Sequence, residues 1–412
     1  MSTATAPPFG GNQHIITNRR WERRLGVVAI ITIVIAWIVG GMLGEADREP
    51  HLRVVMPQAA AFERLTDTIY AAYDSESPNA ARLGYVGFGA ADGYGGPLTV
   101  AVAVAPDGTV LHTSLVAQRE TPSFIARVVS SDLLESLTGR SYADPITLGA
   151  DVDAVTGAPL SSRAIVDSVR QSVLDIAETQ LGYPIPPPAQ PTIMIGPKEL
   201  VLVALFALGY IAHQRRFRYT SHLRWATLLL GLVTIGFMYN SSLTITAVNQ
   251  LLLGFWPDWH TNLYWYILVG GAVAVFAITN KNPYCQWFCP FGAAQECLAV
   301  IGGAKVRTPR RYRWGLKWLQ RGLAWLAIVL ALLLRNPGVT SFEIFGTLFT
   351  FVGSPVQFAL LGMILIGALY WKRPWCNYLC PIDPIMDFMR MFRTWGIELW
   401  QTHHTKKPAA AP

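Results

Sequence analysis

Charge is scarce in this sequence: only 14% of its 412 residues are Asp, Glu, Lys or Arg, against 52% hydrophobic. With a mean hydropathy of +0.32, that balance excludes an ordinary soluble globule of this size. Cysteine is scarcer still. Five occur, and none lies in 45–196, the one long interval without a long apolar run, so a structural disulfide is excluded there. His213, His222 and His260 stand at the ends of apolar runs and none is paired inside one, which argues against two axial haem ligands. His403 and His404 fall in a Lys-containing tail expected to be disordered. Lys and Arg are absent from 240–262, and Arg335 alone represents them in 335–354.

What the sequence has is apolar length. A bilayer core requires about 20 mostly apolar residues per helix, and six stretches qualify as spans, roughly 25–43, 198–213, 225–240, 263–279, 319–334 and 355–371. Basic residues sit at alternate ends: Arg19, Arg20, Arg23 and Arg24 before the first; Arg215, Arg216, Arg218 and Arg224 after the second; Lys305, Arg307, Arg310, Arg311, Arg313 and Lys317 after the fourth. The positive-inside rule then puts both termini in the cytoplasm and the polar interval outside, and the net charge of +7 reports topology rather than nucleic-acid binding. The first stretch, about 19 apolar residues without a small-residue cleavage site, reads as an uncleaved anchor. Trp256, Trp259, Tyr264, Trp371 and Trp375, near span ends, read as aromatic belts.

The expected organisation is a cytoplasmic segment (1–24), an anchor (25–44), an exported α+β domain (45–190), a five-span membrane domain (191–400) and a cytoplasmic tail (401–412). In the exported part, "GYGGPLTVAVAVAPDGTVLHTSLV" predicts a hairpin about Asp107-Gly108. A helix is expected over Ala164 to Thr179, and the Pro-rich "YPIPPPAQP" is expected to be the linker to the membrane.

"GYGGPL", "RETP" (119–122) and "DAVTGA" (153–158) together resemble the flavin-binding domain of the Rnf and Nqr electron-transfer subunits and of NosR. The resemblance implies that Glu120, Thr121, Pro122, Thr156, Gly157, Ala158, Ser161 and Ser162 border FMN. Small residues and a helix N-terminus suit a phosphate. In that family a Thr after the Gly-Ala carries FMN through a phosphoester. Pro159 stands there in this chain and has no hydroxyl. Three readings stay open: Ser161 or Ser162 takes over, FMN binds without a covalent bond, or the flavin is lost. A plain structural role is that Ser161 or Ser162 caps a helix.

"PYCQWFCPFG" (283–292) returns as "PWCNYLCPID" (374–383), an offset of 91 residues that places Lys281 on Lys372, Cys285 on Cys376 and Cys289 on Cys380. A duplicated unit would bring four thiols to the cytoplasmic face. There they can ligate iron, an iron–sulfur cluster or zinc. Cys297 has no counterpart, Phe388 standing at its equivalent, and reads as a small apolar residue. The twin Cys-x3-Cys-Pro motifs behind a flavin domain and an anchor resemble the membrane core of NosR, PceC and CprC, without NosR's terminal ferredoxin-like domain. That resemblance implies an electron-transfer component of a bacterial inner membrane rather than a stand-alone enzyme. It would connect a cytoplasmic-side metal centre or quinone pool, with a ferredoxin-type partner, to a periplasmic flavin serving a periplasmic reductase. The alternative is a non-enzymatic assembly or sensing protein with a structural metal. A bilayer core about 30 Å thick implies that something further must bridge the two centres.

Overall fold

A computed structural model describes residues 19–43, 47–185, 193, 195–212, 220–280, 282, 284–304 and 310–404. Most of the linker, His213, Arg215, Arg216, Arg218, Lys281, Pro283, Lys305, Arg307 and everything beyond His404 lie outside these residues.

After helix α1 (Arg19–Met42) and a short α2 (Glu49–Val55), five strands form an antiparallel meander in chain order: β1 (Ala61–Arg64), β2 (Ile69–Tyr73), β3 (Arg82–Asp92), β4 (Pro97–Val104) and β5 (Val110–Ala117). The expected hairpin joins β4 to β5: Gly108 takes φ +86, and Thr109 N donates to Asp107 Oδ1 at 3.0 Å. Helices α3 (Pro122–Val129), α4 (Leu133–Ser136) and α5 (Pro159–Thr179) follow. α5 crosses β3 and β4 so closely that a Cβ on Gly89 would stand 1.8 Å from Ser168 O. α2 covers the other face through Leu52, Val55 and Met56 on Ala72, Val86 and Phe88. Two covered faces explain why β3 and β4 read as continuous apolar runs rather than alternating ones.

The remainder is helical: α6 (Pro197–Ala212), α7 (Thr220–Gly231) continued by a π segment (Leu232–Met238), α8 (Ile245–Leu253), α9 (Leu263–Thr279), a π turn (Tyr284–Phe288), α10 (Pro290–Ile301), α11 (Arg310–Leu333), α12 (Phe345–Thr350), α13 (Pro355–Tyr370), α14 (Pro374–Tyr378) and α15 (Ile382–His404). Among the described residues three helices are long and apolar enough to cross a membrane: Trp21–Met42, Ser221–Met238 and Tyr312–Leu333. The other three expected spans are helices of 16, 17 and 16 residues. At 1.5 Å per residue these reach roughly 24–26 Å, short of a bilayer core. α1 lies along α11, Gly40 against Leu332 O and Trp325 Nε1 donating to Thr32 Oγ1 at 3.0 Å.

Two expectations change. α15 runs through His404, so the residues expected to begin a disordered tail at 401 continue a helix. Tyr264 and Trp375, expected in aromatic belts, are 6% and 0% exposed and belong to the core, whereas Trp256, Trp259 and Trp371 are exposed.

The two loops poor in Lys and Arg behave unlike surface connections. Segments 240–262 and 335–354 fold inward as α8 and α12, and Leu243, Ile344 and Phe345 join the core that surrounds the cysteines. The same loops carry the strand domain. Gln250 Nε2 donates to Tyr94 O (2.7 Å), Arg119 Nε to Arg335 O (3.1 Å) and Asn336 Nδ2 to Gln118 O (3.1 Å). The Arg119 guanidinium also lies 4.5 Å over the Phe255 ring.

Candidate functional site

The two cysteine motifs meet. Cys285 sits in the π turn, and Cys289 is the N-cap of α10, held in place by its N–H on Tyr284 O (2.8 Å). Cys376 lies in α14, and the Cys380 N–H returns to Trp375 O (2.9 Å). Prolines 290 and 374 stand at the first helical positions of α10 and α14, where a missing N–H has no cost. Each motif reaches for the other. Arg373, in a left-handed conformation (φ +52), donates through Nη1 to Cys285 O at 2.8 Å. Gln295, on the first motif's helix, accepts from Trp375 N (2.9 Å) and points Nε2 at Cys376 Sγ (3.4 Å). Behind them Glu296 bonds Arg373 and Arg224 at 2.9 and 2.5 Å, and Gln320 donates to the carbonyls of Cys376 and Cys380.

The sulfurs are provided with donors. Asn282 Nδ2 lies 3.0 Å from Cys285 Sγ, and the N–H groups of Phe291 and Gly292 donate to Cys289. Burial pushes all four thiols above their ordinary range, Cys376 to about 12. Neighbours among the four raise Cys285, Cys376 and Cys380 further. Bare thiolates are therefore unfavourable here, and a bound cation is what would let these sulfurs deprotonate. The indole N–H of Trp375, 0% exposed beside Cys376, has no partner among the described residues. A single tetrahedral zinc would hold its sulfurs about 3.8 Å apart, as follows from Zn–S bonds of about 2.3 Å. Among the described residues no group of three Cys, His, Asp or Glu side chains is drawn together as a single ion would require. Cys297 lies further along α10, half-buried, without a place in the set.

In the strand domain the three motifs also converge. Glu120 is 1% exposed and accepts from Gly95 N (3.1 Å) and from Ser161 Oγ (2.7 Å), tying the 93–96 turn to α5. Burial raises its carboxyl, and those donors oppose the rise. Thr121 is the N-cap of α3 and Pro122 its first residue. Thr156 is exposed; Gly157 has φ +88; Ala158, not a serine, is the N-cap of α5. Pro159 thus occupies the N1 position, where proline pre-forms the helix, and α5 begins five residues before the expected Ala164. The two serine hydroxyls are buried and committed: Ser161 to Glu120, Ser162 as donor to Ala158 O (2.9 Å) and acceptor from Val155 N (3.1 Å). Neither is presented as a phosphoester acceptor. A Cβ on Gly157 would lie 3.9 Å from the Arg127 guanidinium, so a free helix N-terminus and a cation flank the 156–158 segment, a fit for a phosphate.

Sequence reading missed Asn282, Gln295, Gln320, Arg373 and Arg127. The first four were detectable as polar residues in apolar surroundings next to the motif; Arg127 had no signal beyond its sign.

The flavin-type motifs face the inward-folded loops. Gly338 touches the Arg119 and Glu120 backbone, Gly346 touches the Phe124 ring, and Val352 touches Gly157. Next to Gly346, the Phe345 ring packs tilted against Phe291 (5.0 Å) and edge-on against Trp375 (6.2 Å), one residue from each cysteine motif. On a parallel line Leu243 N donates to Tyr284 OH at 2.7 Å. The 335–354 segment thus touches the flavin-type motifs at one end and residues of the cysteine motifs at the other.

Residues 93–173 match the FMN-binding domain family, and residues 261–309 and 354–397 match the 4Fe-4S binding domain family. The chain is 31% identical over 212 residues to the NirI protein of Paracoccus denitrificans, covering 47% of this chain and 30% of that protein. It is 27% identical over 211 residues to the regulatory protein NosR of Pseudomonas aeruginosa, covering 47% and 29%. It is 33% identical over 106 residues to a component of the ion-translocating oxidoreductase complex of Cereibacter sphaeroides, covering 23% and 48%. The matched part spans less than a third of the length of NirI and NosR. The chain is thus similar over about half its length to NosR-like proteins, and its two matching regions are of the FMN-binding and 4Fe-4S binding kinds, which supports FMN and an iron–sulfur centre as cofactors.

Proposed function

We propose that the chain conducts electrons between an iron–sulfur centre on Cys285, Cys289, Cys376 and Cys380 and an FMN in the 45–190 domain, serving a periplasmic reductase. The observation that carries this reading is the double contact of the inward loops: Gly346 on Phe124 at one end, Phe345 on Trp375 at the other. When bound, the cluster supplies one-electron steps and the flavin links them to two-electron chemistry.

The residues divide the work. Four cysteines neutralise and hold the iron. Asn282, Gln295 and the first amides of α10 donate to the sulfurs, which raises the potential of such centres. Arg127 and the start of α5 hold the phosphate, with Thr156, Gly157 and Ala158 as the close-approach segment. Glu120, Thr121 and Pro122, with Ser161 and Ser162, fix that segment from behind, and the flavin is held without a covalent bond. In this reading all six apolar helices lie in the bacterial inner membrane, the short α6, α9 and α13 being accommodated by local thinning or by their neighbours. The 45–190 domain is periplasmic, and both termini are cytoplasmic. Electrons enter from the quinone pool or a ferredoxin-type partner.

A second reading has one observation behind it. With Pro159 in the acceptor position and both serines committed, the domain serves equally well as a partner-binding module of an assembly or sensing protein, and one relative bears the name regulatory protein. Metal and flavin analysis of the purified chain separates the two. Iron, sulfide and released FMN in comparable amounts support conduction; a colourless protein with zinc alone supports the second reading.

A further inference from the structure

Among the described residues six other than glycine hold a positive φ: Ile146, Asn240, Asn280, Arg335, Phe351 and Arg373. Asparagine tolerates that conformation; other side chains are strained in it and keep it where something depends on them. Three of the remaining four have such a reason. Ile146 is core at 1% exposure, the Arg335 guanidinium lies 5.7 Å over the Phe255 ring, and Arg373 reaches Cys285 O. Phe351 has none inside the fold. At φ +55 it closes α12 in the left-handed conformation that glycine usually supplies at a helix end, yet its ring is 71% exposed. A large apolar side chain kept in a strained, outward position points to something that covers it.

Its neighbours show what stands closest. Val352, the next residue, is 4% exposed, and its Cγ2 lies 2.8 Å from where a Cβ on Gly157 would stand. The Arg127 guanidinium flanks the same glycine at 3.9 Å. Phe351 is therefore one residue, about 3.8 Å between Cα atoms, from a contact with the segment assigned above to the flavin phosphate. The turn that presents it is fixed on both sides. A Cβ on Gly353 would meet Thr347 Oγ1 at 2.8 Å, and Ser354 starts α13 with a capping box to Gln357.

We propose that Phe351 is a flavin-contacting residue: its ring covers the isoalloxazine of an FMN whose phosphate sits at 156–158, so that the inward loop supplies one wall of the flavin site. The inference rests on the conducting reading above. In FMN a ribityl chain separates the phosphate from the ring, so the ring lies beyond the phosphate segment and needs an apolar partner there. An aromatic side chain serves by offset or edge-on pairing. The other occupant for a ring at the start of α13 is the lipid headgroup region, but interfacial belts are built of Trp and Tyr, whose polar atoms phenylalanine lacks.

The test uses the full chain, depleted of flavin and titrated with FMN. Loss of one aromatic pair corresponds to a change of roughly threefold to tenfold in dissociation constant. Phe351→Ala and Phe351→Gly should weaken FMN binding by that factor, and Phe351→Tyr should keep it. Phe351→Gly also relieves the backbone, so its flavin-free form should resist urea better than wild type while binding FMN less well. A ring that served only the fold would not give that opposed pair. Phe351→Trp supplies the second measurement. An indole against an isoalloxazine donates an electron to the excited ring, so the fluorescence lifetime of bound flavin should fall below that of wild type. That signal is read on bound flavin however it is held. A wild-type lifetime in Phe351→Trp, or a wild-type dissociation constant in Phe351→Ala, overturns the proposal and leaves the ring to the lipid headgroups. A wild-type chain that takes up no FMN refutes the conducting reading and the proposal with it, whereas failure in the Phe351 variants alone refutes only the proposal.

Discussion

Gly338→Ala is the smallest change that addresses the seating of the flavin domain. A Cβ there would stand 2.4 Å from the Glu120 carbonyl carbon and 2.5 Å from Arg119 O, both backbone atoms that cannot rotate away. Relief to ordinary contact requires the 335–340 loop and the 119–122 segment to part by about 1 Å, and overpacking of that kind costs about 1–3 kcal/mol. The displacement stretches the Arg119–Arg335 and Asn336–Gln118 hydrogen bonds, both now 3.1 Å. No cysteine, α5 residue or side chain proposed to border the flavin is touched. Purified Gly338→Ala should therefore carry wild-type iron and flavin, lose about 1–3 kcal/mol of interdomain stability, read as faster proteolysis of the 45–190 domain, and transfer electrons from the centre to the flavin more slowly. Wild-type protease resistance together with a wild-type transfer rate would refute the docking described here.

Single Ser substitution of Cys285, Cys289, Cys376 or Cys380 should remove most of the iron rather than a quarter of it, because a ligand set acts as a unit; Cys297→Ser should keep it all, by metal analysis at matched expression. Ser161→Ala deletes the 2.7 Å bond to buried Glu120 and should cost about 1.5–3 kcal/mol in urea unfolding, while denatured wild type shows no flavin fluorescence in a gel; a covalent signal lost in the mutant would reverse our assignment of that hydroxyl. Because burial raises Glu120 above its ordinary 4.5, the folded domain holds that proton more tightly than the unfolded chain, so this contribution to stability is full below about 4.5 and declines as pH rises through the folded value; Glu120→Gln should flatten the decline in unfolding measured over pH. A reporter active only outside the cytoplasm should work when fused after Gly182 and fail after His404, and the opposite pattern would refute the topology.

Much of the strand domain was legible because its signals are local. Asp107-Gly108 between two β-like runs is a hairpin by turn chemistry alone, and the paired Cys-x3-Cys-Pro motifs announced a site by repetition. The start of α5 was hidden because Pro159 was weighed as a missing hydroxyl, whereas its position also suits the first residue of a helix. The inward loops were illegible for a different reason: 240–262 and 335–354 are poor in Lys and Arg, and that scarcity describes a re-entrant segment and an outer loop equally well. Glu343, the acidic residue of 335–354, was the hint, since a lone carboxylate among apolar neighbours is costly unless it is held, here by Ile245 N. Trp375 and Tyr264 look like belt residues by position, and only the packing of the duplicated halves places them inside.

The account stands most directly on electron transfer within one chain. In anaerobic purified protein containing iron, sulfide and FMN, pre-reduction of the cluster followed by rapid-scan absorption should show cluster oxidation and flavin reduction with one shared rate, independent of protein concentration. A flavin that stays oxidised beside a reduced cluster, or a rate that grows with protein concentration, would contradict it.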